Sequence, residues 1–242
     1  MQRRRLSSGL TALDALIDGG IVRGRVSEII GPIGSGRTTF AARFVSAATQ
    51  AGEVVAWIES ARSFDPAAIA ASGASLERVL WASMGGCRQL IPEPSSRLRR
   101  DRSTPVFKAA ELVLKAGRFG LVVIDLGASA APLPPSIALR LAREAERSGA
   151  AVIVIAPHRI CGTFAALSLQ LRRIEASFNR LAPASPALFD GLVIRASTVR
   201  NHLGRTRASA IICAAIEPAT PAFVPRADHV LPTPVRLNAF HT

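Results

Sequence analysis

Lysine is nearly absent: Lys108 and Lys115 are the only two among 30 basic residues, and the rest are arginines. Cysteine is scarce too. Cys87, Cys161 and Cys213 lie too far apart for the paired spacing of a zinc site or a disulfide framework. Four scattered histidines complete no ligand set, so no structural metal is expected. Long apolar runs are missing as well. The purest, at 150–157, falls far short of the roughly 20 residues that a membrane-spanning helix needs. The basic start Met1-Gln2-Arg3-Arg4-Arg5 leads into no signal-peptide core, because Asp14 and Asp18 interrupt the stretch after it. Acids are outnumbered, 17 against 30, for a formal net charge of +13. These absences predict a soluble cytoplasmic protein with no membrane partner. The basic excess points to an acidic partner, either nucleic acid or an acidic protein surface.

What is present predicts a folded core. The 242 residues are 49% hydrophobic and 19% charged, which excludes a disordered or fibrous chain and suffices for one large or two small domains. Apolar runs at 26–31, 54–59, 78–83, 121–126 and 151–156 read as strands. Leu121-Val-Val-Ile and Val152-Ile-Val-Ile are continuous and β-branched, as strands buried on both faces require. Helices are expected at 38–51, 106–116, 136–148 and 164–175, and two strands at 191–199 and 208–216 form a hairpin at the sheet's far edge. The predicted class is α/β: a mostly parallel twisted sheet flanked by helices, with a C-terminal antiparallel hairpin. The core domain spans 1–216. A basic loop occupies 85–105, and 217–242 is a proline-rich tail with Pro218, Pro221, Pro225, Pro232 and Pro234. No internal repeat is present.

One motif carries chemistry. Gly31-Pro-Ile-Gly-Ser-Gly-Arg-Thr succeeds a strand and opens a helix. Gly31, Gly34 and Gly36 let the backbone curl so that successive N–H groups, with Ser35, face phosphate oxygens, and the helix adds its N-terminal partial charge. Arg37 stands where such phosphate loops carry lysine, and its planar fork replaces a compact ammonium. Thr38 would hold Mg²⁺ by its hydroxyl, with Thr39 beside it. The acid for the same ion is Asp125, at the end of Leu121-Val-Val-Ile-Asp. The plain alternatives are a functionless glycine turn and a strand-terminal Asp that caps the next loop.

From Leu6 to Pro66 the sequence resembles the RecA/RadA recombinase family. Leu6-Ser-Ser-Gly-Leu-Thr-Ala-Leu-Asp through Gly31-Pro matches the lead-in to its phosphate loop, and Val55-Ala-Trp-Ile-Glu through Phe64-Asp65-Pro66 its next strand and turn. Weaker likeness at 121–125, 152–159 and 195–211 extends it over most of 6–216. The resemblance implies a RecA-like core binding ATP with Mg²⁺ through Gly31, Gly34, Ser35, Gly36, Arg37, Thr38, Thr39 and Asp125, with Asp65 in reach of the base. The departures imply weak binding and negligible turnover. Ala61 falls where the family keeps the glutamate that polarises water, Glu59 lies two residues too early, and Ala67-Ala68 replaces the adenine-stacking aromatic. Losing a general base and the lysine removes several kcal/mol of barrier reduction. Nothing ahead of Leu6 matches the family's docking arm. The counterparts of its DNA loops, 127–135 and 158–163, are short and almost free of cationic or aromatic residues, so filament formation is not expected.

This pattern resembles the ImuA-type proteins, SOS-induced accessory factors of translesion mutagenesis and DNA repair. That likeness implies partners rather than catalysis: an inactive Y-family polymerase homologue, an error-prone polymerase complex and the RecA recombinase. The competing reading is a working P-loop ATPase acting on single-stranded DNA, with Glu59 positioning water. For nucleic acid or partner contact the candidates are Arg97–Arg102 and the hairpin arginines Arg195, Arg200, Arg205 and Arg207, none interleaved with aromatics. Trp57 and Trp81 are expected in the core, and the cysteines as small buried hydrophobes.

Overall fold

The computed structural model describes residues 4–60, 62–84, 104–128, 130–179 and 187–215. Ala61, nearly all of the basic loop (including Arg97–Arg102) and the proline-rich tail lie outside the described residues. Strands β1 (Arg5–Leu6) and β2 (Ile21–Val22) form a small antiparallel ribbon around α1 (Thr11–Leu16). The main sheet has eight strands. Its parallel part comprises β3 (Val26–Ile30), β4 (Val55–Glu59), β5 (Val79–Ser83), β6 (Leu121–Asp125) and β7 (Ala151–Ala156). Next come β8 (Ala165–Asn179), β9 (Leu188–Asn201) and β10 (Ser209–Ala215), giving the order β10-β9-β8-β3-β7-β6-β4-β5.

Two apolar layers sandwich this sheet. On one face α2 (Arg37–Gln50) and α3 (Pro66–Ala71) bring Phe40, Phe44, Val45 and Ile69 onto Ile29, Trp57 and Ile153. On the other, α4 (Thr104–Ala116) and α5 (Pro135–Ser148) bring Phe107, Leu114 and Leu141 onto Ile58, Val122 and Val154. Every residue of β3, β4, β6 and β7 is buried, so their largely apolar sequences are what a sheet covered on both sides demands.

The helix expected at 164–175 is a strand. Ala165, Leu167, Leu169 and Leu171 are buried at every second position, and β8 pairs in parallel with β3 from Val26 through Ile30. Its Ala, Leu, Gln and Arg content favours helix locally, but period-two burial and the open edge of β3 decide otherwise. The edge hairpin therefore belongs to a three-stranded antiparallel extension, β8-β9-β10. Two smaller expectations also change. Trp81 is half exposed because β5 is the edge strand, and Cys213 is exposed on β10, whereas Trp57 and Cys161 are buried as expected.

Because β8 lies on the far side of β3 from β7, the chain at 157–164 must cross one face of β3. Only a short 3₁₀ turn, Gly162–Phe164, forms in that crossing. The buried Glu28 of β3 ties it down. Its Oε1 accepts from the amides of Ile160 (2.8 Å) and Cys161 (2.7 Å), and its Oε2 accepts from Ser168 Oγ (2.7 Å). Burial, with Glu28 beside it, holds the Cys161 thiol well above the usual cysteine range.

Candidate phosphate-binding site

Strand β3 stops at Ile30 and the chain turns through Gly31–Gly36 into α2, with Gly36 left-handed at the helix start. The antiparallel extension walls this turn. A Cβ on Gly31 would lie 2.4 Å from the Leu171 carbonyl oxygen, and one on Gly36 2.4 Å from Ile194 Cδ1. Arg173 Nη1 would be 3.5 Å from a Cβ on Gly34. Close passage of β8 and β9, as much as phosphate geometry, therefore explains the glycines.

Arg37 opens α2 with its side chain turned inward. It is 8% exposed, and its Nη1 is buried without an acceptor among the described residues, as is Ser35 Oγ. Burial lowers the pKa of the guanidinium, and the Asp125 carboxylate works against that shift. Two orphaned donors beside the unpaired first-turn amides of a 14-residue helix suit a phosphate group. Thr38 and Thr39 are exposed on the same turn.

Asp125 ends β6, 2% exposed, with both oxygens engaged. Oδ1 accepts from the Gly127 amide (2.8 Å), and Oδ2 lies 3.0 Å from Ser63 Oγ, whose single proton it shares with Glu59 Oε2. Burial pushes its pKa up, while the two hydrogen bonds and Arg37 pull it back and Glu59 adds to the rise. Asp125 thus carries one hydrogen bond on each oxygen with the Arg37 charge nearby, and each oxygen keeps a lone pair, so it could still hold a Mg²⁺ that accompanies a nucleotide. Among the described residues no three His, Cys, Asp or Glu side chains gather as a metal set.

Glu59 lies directly across from Asp125 in the β4–β6 register, fully buried. Its Oε2 accepts from the amides of Ser63 and Phe64 (2.8 Å for Phe64) and from Ser63 Oγ (3.1 Å). Its Oε1 accepts from Trp81 Nε1 (3.0 Å). Phe64 stacks on Trp81 with centroids 5.2 Å apart and packs against Trp57 at 5.4 Å. These contacts, the Ser63 hydroxyl being shared with Asp125, fix the carboxylate's orientation against Ser63, Phe64 and Trp81. Asp65 is also engaged: it caps α3, accepting from Ala67 N (2.9 Å) and Ala68 N (3.3 Å).

The four hairpin arginines do not form one patch. Arg195 pairs across from Arg172, on the stretch of the extension that flanks the phosphate loop. Arg200 lies roughly 17 Å further along β9 at the usual strand rise. There its guanidinium donates to Thr163 O (3.3 Å) and contacts His202. Arg205 sits with Asp18, its amide 3.1 Å from Oδ2, and Arg207 is exposed in the same turn with φ +60. This turn lies at the end of the sheet opposite the phosphate loop. The two short segments matched to DNA loops meet where the Leu133 amide donates to Ile160 O (3.0 Å), in the crossing that Glu28 holds. Arg172, Arg173, Phe178 and Phe189 are missing from the sequence-based candidates. The alternation Leu167-Ser-Leu-Gln-Leu was the available signal that would have put Arg172, Arg173 and Phe178 on a strand.

Comparison with known proteins bears on the same region. Residues 2–91 match the RecA N-terminal domain family. Protein RecA of Rubrobacter xylanophilus is 32% identical over 128 residues, covering 52% of this chain and 33% of that protein. Protein RecA of Synechocystis is 38% identical over 82 residues, 34% of this chain and 23% of that protein. The chain thus spans about a third or less of the length of these relatives. Among solved structures, the RadB recombinase superposes with a TM-score of 0.60 at 18% identity, covering 85% of this chain and 94% of that one, a likeness of fold.

Proposed function

This chain is RecA-like in its N-terminal sequence and in its fold, and we propose that it acts as a non-hydrolysing accessory protein in SOS-induced translesion DNA synthesis and mutagenesis. Its partners on this reading are an inactive Y-family polymerase homologue, an error-prone polymerase complex and the RecA recombinase. The observation that carries the proposal is the state of Glu59. The described carboxylate placed beside Asp125 is buried and held in orientation by Ser63, Phe64 and Trp81. The inward Arg37 supports it: a guanidinium in the cradle can hold a phosphate but misplaces charge in the transition state of phosphoryl transfer. ATP is then a weak ligand held by Gly31–Thr39, and Mg²⁺ contributes charge neutralisation where it accompanies the nucleotide. The chain's own part is to bind and orient the phosphates.

The test is complementation. In cells lacking this protein, an Arg37→Ala variant should restore damage-induced mutagenesis as well as the unaltered chain. A chain ending at residue 217 should lose co-purifying polymerase partners if the tail docks them. Loss of complementation by Arg37→Ala, together with DNA-stimulated ATP hydrolysis by the purified protein, would establish the active-ATPase reading instead.

A further inference from the structure

Strand β10 is the outermost strand at one end of the main sheet, and among the described residues only β9 pairs with it. That pairing runs without a bulge from Ser209 to Ala215. A sheet edge is kept from pairing further by a charge, a proline, a bulge or a very short strand, and Ser-Ala-Ile-Ile-Cys-Ala-Ala has none of these. Its backbone is turned outward at alternate positions. Thr198 N donates to Ala208 O (2.9 Å), and bonded positions alternate along an antiparallel ladder. Ala210 and Ile212 therefore turn their N–H and C=O groups to β9, whereas Ser209, Ile211 and Cys213 turn theirs away from it. The side chains of these three are exposed, Ile211 at 60%, while Ile212 is buried in the core with Leu13 and Leu16.

We infer that β10 pairs edge to edge with β10 of a second copy of this chain, antiparallel, about a two-fold axis at Ile212. That register alone engages all seven residues of both strands. It sets Ile211 opposite Cys213 of the second copy, and Cys213 opposite its Ile211. These are positions whose backbone groups point outward, so each such pair closes two N–H···O bonds. A two-fold contact needs a surface complementary to itself, and an uncharged strand meets that need. Strands β8 and β9, with Arg172 and Arg195, would set arginines near one another on self-pairing. The chain's own tail is a poorer occupant. Prolines at 218, 221, 225, 232 and 234 leave no seven-residue run free of proline before Val235, and each removes a ladder donor. The inference stands whether or not the chain hydrolyses ATP.

The test is sedimentation of the full, nuclease-treated chain across protein and salt concentration. The unaltered protein should reach twice the 25.5 kDa of the single chain. It should do so more readily as salt screens the +13 charge of each copy. Ile211→Lys puts a charge on the edge and leaves the core contacts of Ile212 in place, so it should stay single with an unchanged melting temperature. Leu80→Lys, on the edge strand β5 at the other end of the sheet, should dimerise like the unaltered protein. Ile211→Cys should give a disulfide-linked dimer on mild oxidation, because facing residues with Cα atoms about 5.5 Å apart lie in disulfide range. Adding Cys213→Ser should abolish that link. The inference is overturned if the unaltered chain stays single up to about 100 μM, or if Ile211→Lys still dimerises. It is equally overturned if the cross-link survives Cys213→Ser, or if the dimer dissolves as salt rises. Slow hydrogen exchange at the Ile211 and Cys213 amides of a single chain would also overturn it, and would assign the edge to the tail.

Discussion

Glu28→Ala removes the acceptor of three donors at once. The amides of Ile160 and Cys161 and the hydroxyl of Ser168 all bond to this one carboxylate, in a setting where Glu28 and Ser168 are fully buried. An orphaned buried donor costs about 1–3 kcal/mol. With partial relaxation of the 157–164 crossing, the variant should lose about 3–6 kcal/mol, a large share of the 5–15 kcal/mol that holds a typical domain together. Glu28→Gln separates hydrogen bonding from charge. Its carbonyl oxygen can still accept both amides, while its NH₂ donates to Ser168 Oγ, which then acts as acceptor, so the loss should stay near 1 kcal/mol. Urea unfolding followed by far-UV circular dichroism measures both variants, and midpoint shifts at constant m-value are the expected form. An alanine variant within about 1 kcal/mol of the unaltered protein would show that the crossing does not depend on Glu28. A glutamine variant as damaged as alanine would show that the charge, rather than the acceptor geometry, is what the crossing needs.

The phosphate loop and its neighbouring acid give two further expected outcomes. Gly31→Ala forces a Cβ to 2.4 Å from the Leu171 carbonyl and 2.6 Å from Ser35 Oγ, so the loop must part from β8. Thermal melting should show a loss of about 2–4 kcal/mol, against about 1 kcal/mol for Gly117→Ala, where only the positive φ is at stake. Burial raises the Asp125 pKa, so the folded state holds that proton more tightly than the unfolded chain does, and stability falls as pH rises from about 4 through the raised value. Asp125→Asn removes this penalty. It should melt higher than the unaltered protein at pH 7, and the gap should close as pH drops towards 4; an unchanged gap across that range would contradict the burial argument.

Much of the fold was legible because its strands are locally unambiguous. Strands β3, β4, β6 and β7 are mostly apolar and buried on both faces, and β7 spans the range expected for it. The phosphate loop was equally plain, since a glycine turn between strand and helix is a local signature. Strand β8 was not plain. Its residues favour helix, and the edge that turns them into a strand belongs to β3, far away in sequence. The same distance hid the fate of Glu59, whose partner Trp81 arrives on another strand. It hid the Phe178–Phe189 contact too, because the two rings meet only through the β8–β9 register. Grouping Arg195 with Arg200, Arg205 and Arg207 failed for a simpler reason: an extended strand spreads neighbours in sequence along the sheet, to opposite ends in this case.

The most direct measurement is steady-state phosphate release by the purified chain with saturating ATP, Mg²⁺ and single-stranded DNA. With Glu59 bound up by Ser63, Phe64 and Trp81, release should be indistinguishable from a blank without protein. Arg37→Lys alone should leave it there, because restoring the ammonium supplies no free carboxylate. Turnover clearly above the blank that disappears in Asp125→Ala would contradict the account.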